Sequence, residues 1–133
     1  MLRIQKAKRA DATAALEIRN AAILNQCANS YSMDTLKIWT SGELSETFAD
    51  AVEKHFYIAV HGNKIVGTGM INTETGKIDA VFVHPHHMRE GIGRKIVEFP
   101  QEFALRHGLD RIYKEMKSAY IRRQKAYRWT AYQ

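Results

Sequence analysis

The sequence contains little cysteine, little proline and no long apolar run. Its single cysteine, Cys27, cannot form an internal disulfide, which excludes a disulfide scaffold and favours a reducing, cytoplasmic setting. Two prolines and eight glycines among 133 residues exclude collagen-like and low-complexity proteins. No apolar stretch approaches 18 residues and residues 1–10 lack the apolar core of a secretory signal. We therefore expect no membrane partner.

The positive charge is concentrated at one end of the chain. The net charge is +6, yet residues 1–105 contain 12 Lys and Arg against 12 Asp and Glu. Residues 106–133 contain eight basic and two acidic residues, so the whole excess lies there. The length of 133 residues suits one domain around one core, and we expect residues 1–133 to form it.

Two periodicities follow one another along the chain. Period-two patterns predict strands at residues 2–8, 56–60, 65–71, 77–83 and 109–113. Helical spacing predicts helices at residues 12–23 with Asp11 as N-cap, then at 33–39, 43–54, 92–107 and 114–133, the last without a clean apolar stripe. The order predicts an α+β, or mixed α/β, domain with a central, mostly antiparallel twisted sheet flanked by helices.

A strand ending before Pro85 runs through a short loop into Gly91-Ile92-Gly93 at the start of a helix. Free amides at a helix N-terminus attract phosphate groups, and Arg89 and Arg94 add positive charge there. Two glycines before a helix are on their own equally compatible with ordinary packing of the helix start. The segment is therefore a candidate pyrophosphate site that needs support from its surroundings.

That support comes from a family resemblance. The strand, Pro85, loop and GxG order resembles the GCN5-related N-acetyltransferase superfamily, whose loop reads Gln/Arg-x-x-Gly-x-Gly/Ala; here residues 88–93 read Met-Arg-Glu-Gly-Ile-Gly. The resemblance covers residues 1–112 and leaves 113–133 as a divergent basic tail. It implies transfer of an acetyl group from acetyl-CoA to a primary amine of a small molecule or protein. The implied coenzyme residues are Val81, Phe82, Val83, Met88, Arg89, Glu90, Gly91, Ile92, Gly93 and Arg94.

The resemblance also implies catalytic and acceptor residues. Asp79, on the strand before Pro85, is the candidate general base, and its alternative role is that of a solvent-facing carboxylate. Tyr127 is the candidate acid, although Ala131 stands where the family has glycine. Tyr31 and Trp39 are candidates for the acceptor side, unless they are core aromatics. Met88 departs from the family pattern because its side chain cannot donate a hydrogen bond to phosphate.

Other interpretations remain open at this stage. The departures favour, as an alternative, a catalytically impaired domain that binds coenzyme A or a protein partner without turnover. His84, His86 and His87 suggest a metal, but no cysteine or carboxylate stands at ligand spacing, so we expect none. The basic tail contains Tyr120, Tyr127, Trp129 and Tyr132 without a recognised nucleic-acid motif, so we expect no nucleic-acid partner. A homodimer could cover the C-terminal edge of the sheet.

Overall fold

A four-stranded antiparallel sheet forms the centre of the fold in the computed structural model, which describes residues 1–126 and the side chains of residues 1–122. The strands lie in the order β1-β2-β3-β4, and they are β1 (Leu2–Lys6), β2 (Phe56–His61), β3 (Lys64–Asn72) and β4 (Lys77–Val83). All three neighbouring pairs are antiparallel. The predicted meander and the α+β class are confirmed.

Five helices accompany the sheet: α1 (Ala12–Gln26), α2 (Met33–Thr40), α3 (Glu46–His55), α4 (Ile92–Arg106) and α5 (Asp110–Ala126). Helices α1 and α3 cover one face, where Ala15 and Val52 pack with Ile58 of β2. Helix α4 covers the other face, where Ile92 and Ile96 form a separate apolar cluster with strand residues. Among the described residues, no helix combines the length and apolar character needed to cross a membrane.

Two glycines on β3 allow α4 to lie close to the sheet. A Cβ at Gly67 would lie 2.9 Å from Cγ2 of Ile92, and one at Gly69 would lie 2.5 Å from Cγ2 of Ile96. Both distances are shorter than van der Waals contact, so these positions accept no side chain without movement of the isoleucine side chains or of the helix. Ile96 is fully buried in the resulting interface. The close approach therefore determines how near α4 lies to the sheet.

The predicted cap of α1 is only partly correct. Asp11 occupies the N-cap position, but its side chain makes no hydrogen bond to the first-turn amides of α1. Its carboxylate instead accepts from the backbone N–H of Lys8, at 2.8 Å, across the single 3₁₀ turn that joins β1 to α1. Asp11 therefore stabilises the connection that precedes the helix.

The predicted strand at residues 109–113 is wrong. Gly108 adopts a left-handed φ of 70°, and Leu109 N donates to Ala104 O at 2.9 Å, which ends α4 with a Schellman turn. Helix α5 begins at the next residue, Asp110. The apolar stripe that the sequence analysis missed contains Ile112 and the buried Met116, four residues apart, so helical packing prevails over the short alternating pattern.

The Gly69→Ala variant tests the close approach of α4. The new methyl group overlaps Cγ2 of Ile96, so we expect a loss of about 1–3 kcal/mol in unfolding free energy, measured by urea denaturation. Adding Ile96→Ala makes room for that methyl group. The losses of unfolding free energy in the two single variants are therefore expected to sum to more than the loss in the double variant.

Gly42→Ala is the matched control, because a Cβ at Gly42 meets nothing within 4 Å. Additive costs for Gly69→Ala and Ile96→Ala would contradict the contact.

Candidate active site

The N-terminus of α4 presents free backbone amides beside the end of β4. The first helical hydrogen bond runs from Lys95 N to Gly91 O, at 3.1 Å, so the amides of Ile92, Gly93 and Arg94 precede it. No side chain caps this end of the helix. Amides in this position, at the positive end of a 15-residue helix, favour the binding of an anion. This geometry fits the pyrophosphate cradle expected from the sequence.

The two glycines of the motif have different structural roles. Gly91 is the N-cap and adopts a φ of 78°, a conformation that residues with a side chain rarely adopt. Gly93 faces β4, where a Cβ would lie 3.4 Å from Val81 Cγ1 and 3.8 Å from Val83 Cγ2. The sequence analysis assigned both glycines to the coenzyme site. The structure shows that Gly93 also lies in the contact between α4 and β4.

The loop before α4 is held in an unusual backbone conformation. Arg89 has a φ of 67°, which costs a non-glycine residue about 1–2 kcal/mol. Glu90 lies 3.5 Å from His87 Nδ1, and Arg94 Nε lies 3.6 Å from Glu98. The Arg89 side chain makes none of the ion pairs in the described part of the chain, so its charge is available at the mouth of the cradle.

His84 connects β4 to the loop. Its backbone N–H donates to Val66 O at 2.8 Å, and its Nδ1 accepts from the backbone N–H of His86 at 3.1 Å. The second bond caps the 3₁₀ turn Pro85–His87, which leads directly into the loop. Because Nδ1 is the acceptor, this cap requires an imidazole that is unprotonated at Nδ1.

Four histidines gather at this end of the sheet. Ring centroids of His84 lie 4.9 Å from His86 and 6.1 Å from His87, and His61 lies 5.9 Å from His87. Partial burial, together with the positive charges of His86, His87 and Lys64, lowers the pKa of His84. Among residues 1–122, no group of three or more His, Cys, Asp or Glu side chains has an arrangement that could hold a metal ion.

Asp79 lies in a bulge on β4. Ala80 pairs with Met70 and Ile78 pairs with Ile71, so Asp79 has no partner on β3. Its carboxylate is 31% exposed and lies 3.3 Å from Lys77 Nζ. The bulge interrupts the regular alternation of side chains along β4 at Asp79. What distinguishes Asp79 is therefore its position outside the regular ladder.

Strand β4 is the last strand of the sheet, and α5 contacts it. The backbone of α5 passes close to the β3–β4 turn, where a Cβ at Gly76 would lie 2.9 Å from Met116 N. Further along α5, Tyr120 lies near α4: burial raises the pKa of Tyr120, with the charge of Glu98 adding to the rise and that of Arg94 opposing it. Tyr127 lies outside the described residues.

Tyr31 and Trp39 come together at α2. Their ring centroids are 4.7 Å apart in an edge-to-face arrangement, and the residues are 50% and 42% exposed. Leu36 anchors α2 by complete burial, while Arg19 Nη1 of α1 donates to Trp39 O at 3.3 Å. The two aromatic residues are not part of the core, so the alternative interpretation as core aromatics is wrong.

Comparison with known proteins identifies the family. Residues 24–130 match the family model described as the acetyltransferase (GNAT) family, which is more than half of the chain. This chain belongs to the GNAT acetyltransferase family. A search of curated proteins found no significant match.

Solved structures show the same fold for this GNAT domain. PaiA N-acetyltransferase from Thermoplasma acidophilum, in complex with coenzyme A, has a TM-score of 0.66 at 16% identity over 81% of this chain and 74% of that one. A GCN5-related N-acetyltransferase from Rhodopseudomonas palustris has a TM-score of 0.64 at 24% identity over 81% and 67%. A GNAT acetyltransferase from Brucella melitensis, in complex with acetyl-CoA, has a TM-score of 0.50 at 19% identity over 84% and 68%.

Sequence reasoning missed several residues that position the site of the GNAT domain. Gly67 and Gly69 form a Gly-Thr-Gly pattern inside a strand, and that pattern is itself a signal of close backbone approach. The cap made by His84 had no clear signal, because it depends on the rotamer of one ring. The left-handed conformation of Arg89 likewise follows from the loop as a whole.

The cap made by His84 predicts a pH dependence of stability. Because the folded pKa of His84 lies below its ordinary value of 6.5, the unfolded chain takes up the proton more readily. The stabilisation is therefore present above about pH 6.5 and is lost as the pH falls through that value toward the folded pKa. The His84→Asn variant retains an acceptor for His86 N–H without a titrating ring, so we expect a flatter profile of unfolding midpoint between pH 7.5 and 5.5.

His55→Asn, on α3 at the opposite end of β2, is the matched control and is expected to keep the wild-type slope. Parallel profiles for the wild type and His84→Asn would contradict the assignment of this cap.

Proposed function

We propose that this protein is an acetyl-CoA-dependent N-acetyltransferase that acetylates a primary amine of a small molecule or protein. The observation that carries the proposal is the uncapped N-terminus of α4, seated beside the end of β4. Family membership supports acetyl transfer, and the relatives in complex with coenzyme A or acetyl-CoA support that ligand. Acetyl-CoA supplies the activated thioester.

The loop residues hold the coenzyme at its pyrophosphate. The amides from Met88 to Arg94, including those of Glu90 and Ile92, surround the position where α4 begins. Arg89 and Arg94 contribute positive charge, which replaces the donor that Met88 lacks. Backbone hydrogen bonds to phosphate need no particular side chain, so the substitution by methionine weakens the site without removing it.

The backbone of Val81, Phe82 and Val83 binds the pantetheine arm. This segment lies on the last strand of the sheet, so one edge of its backbone faces away from β3. An extended ligand pairs with such an edge in the manner of an added strand. The arm then leads from the pyrophosphate at the end of β4 toward the bulge at Asp79.

Asp79 removes the proton from the attacking amine. Its position in the bulge frees the residue from the ladder, and its carboxylate is partly exposed to a ligand on that edge. Tyr127 donates a proton to the departing thiolate, an assignment that rests on the family resemblance alone. Tyr31 and Trp39 receive the acceptor, since they form an exposed aromatic pair beside α1.

The setting and assembly are also proposals. The single cysteine supports a cytoplasmic setting. A homodimer is supported by the position of β4 at the end of the sheet, although α5 already contacts that strand. The alternative function, binding of coenzyme A or a protein partner without turnover, is supported by Met88 at the first motif position.

Gly91→Glu tests the coenzyme site. The glutamate places bulk and negative charge at the N-terminus of α4, so calorimetric titration of acetyl-CoA is expected to show binding to the wild type and none to the variant. Gly108→Glu is the matched control, because Gly108 also has a positive φ, has open space and lies at the other end of α4.

Equal affinity of the Gly91→Glu and Gly108→Glu variants for acetyl-CoA would contradict the assignment of the loop as the coenzyme site. Absence of acetyl-CoA binding by a folded wild-type protein would contradict both the proposed enzyme and the alternative of coenzyme A binding without turnover.

Asp79→Asn and Tyr127→Phe test the chemistry separately from binding. General acid–base catalysis contributes about 10²–10⁴-fold, so we expect each variant to lower kcat by at least about 10²-fold with an unchanged Kd for acetyl-CoA. The assay follows thiol release across a panel of amines.

Glu74→Gln, in the β3–β4 turn, and Tyr120→Phe, on α5, are the matched controls. Loss of turnover in Tyr120→Phe but not in Tyr127→Phe would assign the role of general acid to Tyr120 in place of Tyr127. Binding without turnover by the wild type on every amine would favour the impaired alternative.

A further inference from the structure

One face of α5 is an exposed cationic stripe, formed by Arg111, Lys114, Lys117 and Arg122. At 3.6 residues per turn these positions fall within about 140° of the helix circumference, an arc that also contains Asp110, Ser118 and Ile121. The four cationic residues are all exposed. With a rise of 1.5 Å per residue, the stripe extends about 17 Å along the helix.

The opposite face of α5 is packed against the protein, which fixes the direction of the stripe. Met116 is 2% exposed and lies about 170° around the helix from the centre of the stripe. The half-buried residues on either side of it are Ile112, Tyr113, Ala119 and Tyr120. Helix α5 contacts both α4 and β4 through this face. The cations therefore point away from the sheet into solvent.

The stripe also lacks counter-ions. Within residues 1–122, none of its four side chains lies within ion-pair distance of a carboxylate, whereas Arg94 and Arg106 of α4 pair with Glu98 and Glu102. The α5 helix has only two acidic residues. Asp110 lies in its first turn, where free amides favour a carboxylate, and Glu115 lies against the turn at Gly76. The stripe therefore lacks carboxylate partners among the described residues, and Lys117 Nζ lies 5.9 Å from the ring centroid of Tyr113.

We propose that the cationic stripe binds the phosphate backbone of a nucleic acid, without base specificity. A row of Lys and Arg without carboxylate partners neutralises phosphates whatever the sequence, and no base-reading motif is required. The sequence analysis expected no nucleic-acid partner because such a motif is lacking. The new observation is that the helix gathers onto one exposed face cations that the sequence scatters.

Two other polyanions fit the stripe less well. A helix that lies on a membrane needs an exposed apolar face, and the apolar face of α5 is packed against α4 and β4. The centres of protein interfaces are rich in aromatic residues and poor in lysine. Among the described side chains of α5, Ile121 is the one large apolar residue that is exposed, at 43%, and it lies within the arc of the stripe.

The proposal is tested on the full chain by fluorescence anisotropy with a labelled 20-nucleotide RNA, as a duplex and as a single strand. Binding to four phosphates predicts a slope of log Kobs against log salt concentration of about −3 to −4. Lys114→Gln together with Lys117→Gln is expected to make the slope less steep by about 2. Circular dichroism checks that α5 remains folded.

Lys37→Gln together with Lys54→Gln is the matched control, because these exposed lysines lie on α2 and α3. It is expected to leave the slope unchanged. Salt-independent binding, no binding, or an equal effect of both double variants would overturn the proposal. A further result would also overturn the proposal. If the Lys114→Gln, Lys117→Gln variant lost binding to polyglutamate or to phosphatidylserine vesicles while its RNA binding stayed unchanged, the partner would be a protein or a membrane. The acetyl-CoA titration is separate, so failure here leaves the proposed function standing.

Discussion

The close packing of α4 on the sheet is the contact on which the candidate site depends. Gly67 and Gly69 leave no side chain between β3 and the two isoleucines of α4, and Gly93 does the same between α4 and β4. This packing places the first turn of α4 beside the end of β4. An anion site made of backbone amides is only as well defined as the position of its helix, so the apolar contact beneath the helix sets the geometry of the polar site above it.

Strand β4 and the loop that follows it combine three irregular features within a short distance along the chain. Asp79 lies in a bulge, His84 caps a 3₁₀ turn through its ring, and Arg89 and Gly91 adopt left-handed conformations. The bulge and the left-handed residues interrupt the regular ladder or helix, whereas the His84 ring pairs the backbone N–H of His86. Irregular backbone of this kind, held between a strand and a helix, is typical of ligand-binding sites.

Helix α5 shows how packing decides between two local preferences. Residues 109–113 read as a strand because Ile112 and Tyr113 are common in strands. The Schellman turn at Gly108 reverses the chain, and Met116 then completes an apolar face that packs on α4 and β4. The orientation of α5 that buries Met116 also exposes the cationic residues on the opposite face. The same packing therefore produces both the fold of this segment and its charged surface.

The sequence by itself determined the meander, the placement of most helices, the position of the candidate phosphate-binding loop and the family, because alternation, helical spacing and the Gly91-Ile92-Gly93 motif are local patterns. Only the tertiary structure decided that Asp79 leaves the ladder, that Gly93 contacts β4, that Tyr31 meets Trp39 in solvent and that α5 replaces a strand. These features depend on contacts between residues far apart in the chain, or on one residue's register against a neighbouring element. A local pattern carries no information about such contacts, because the free energy that selects them is released only when the elements pack.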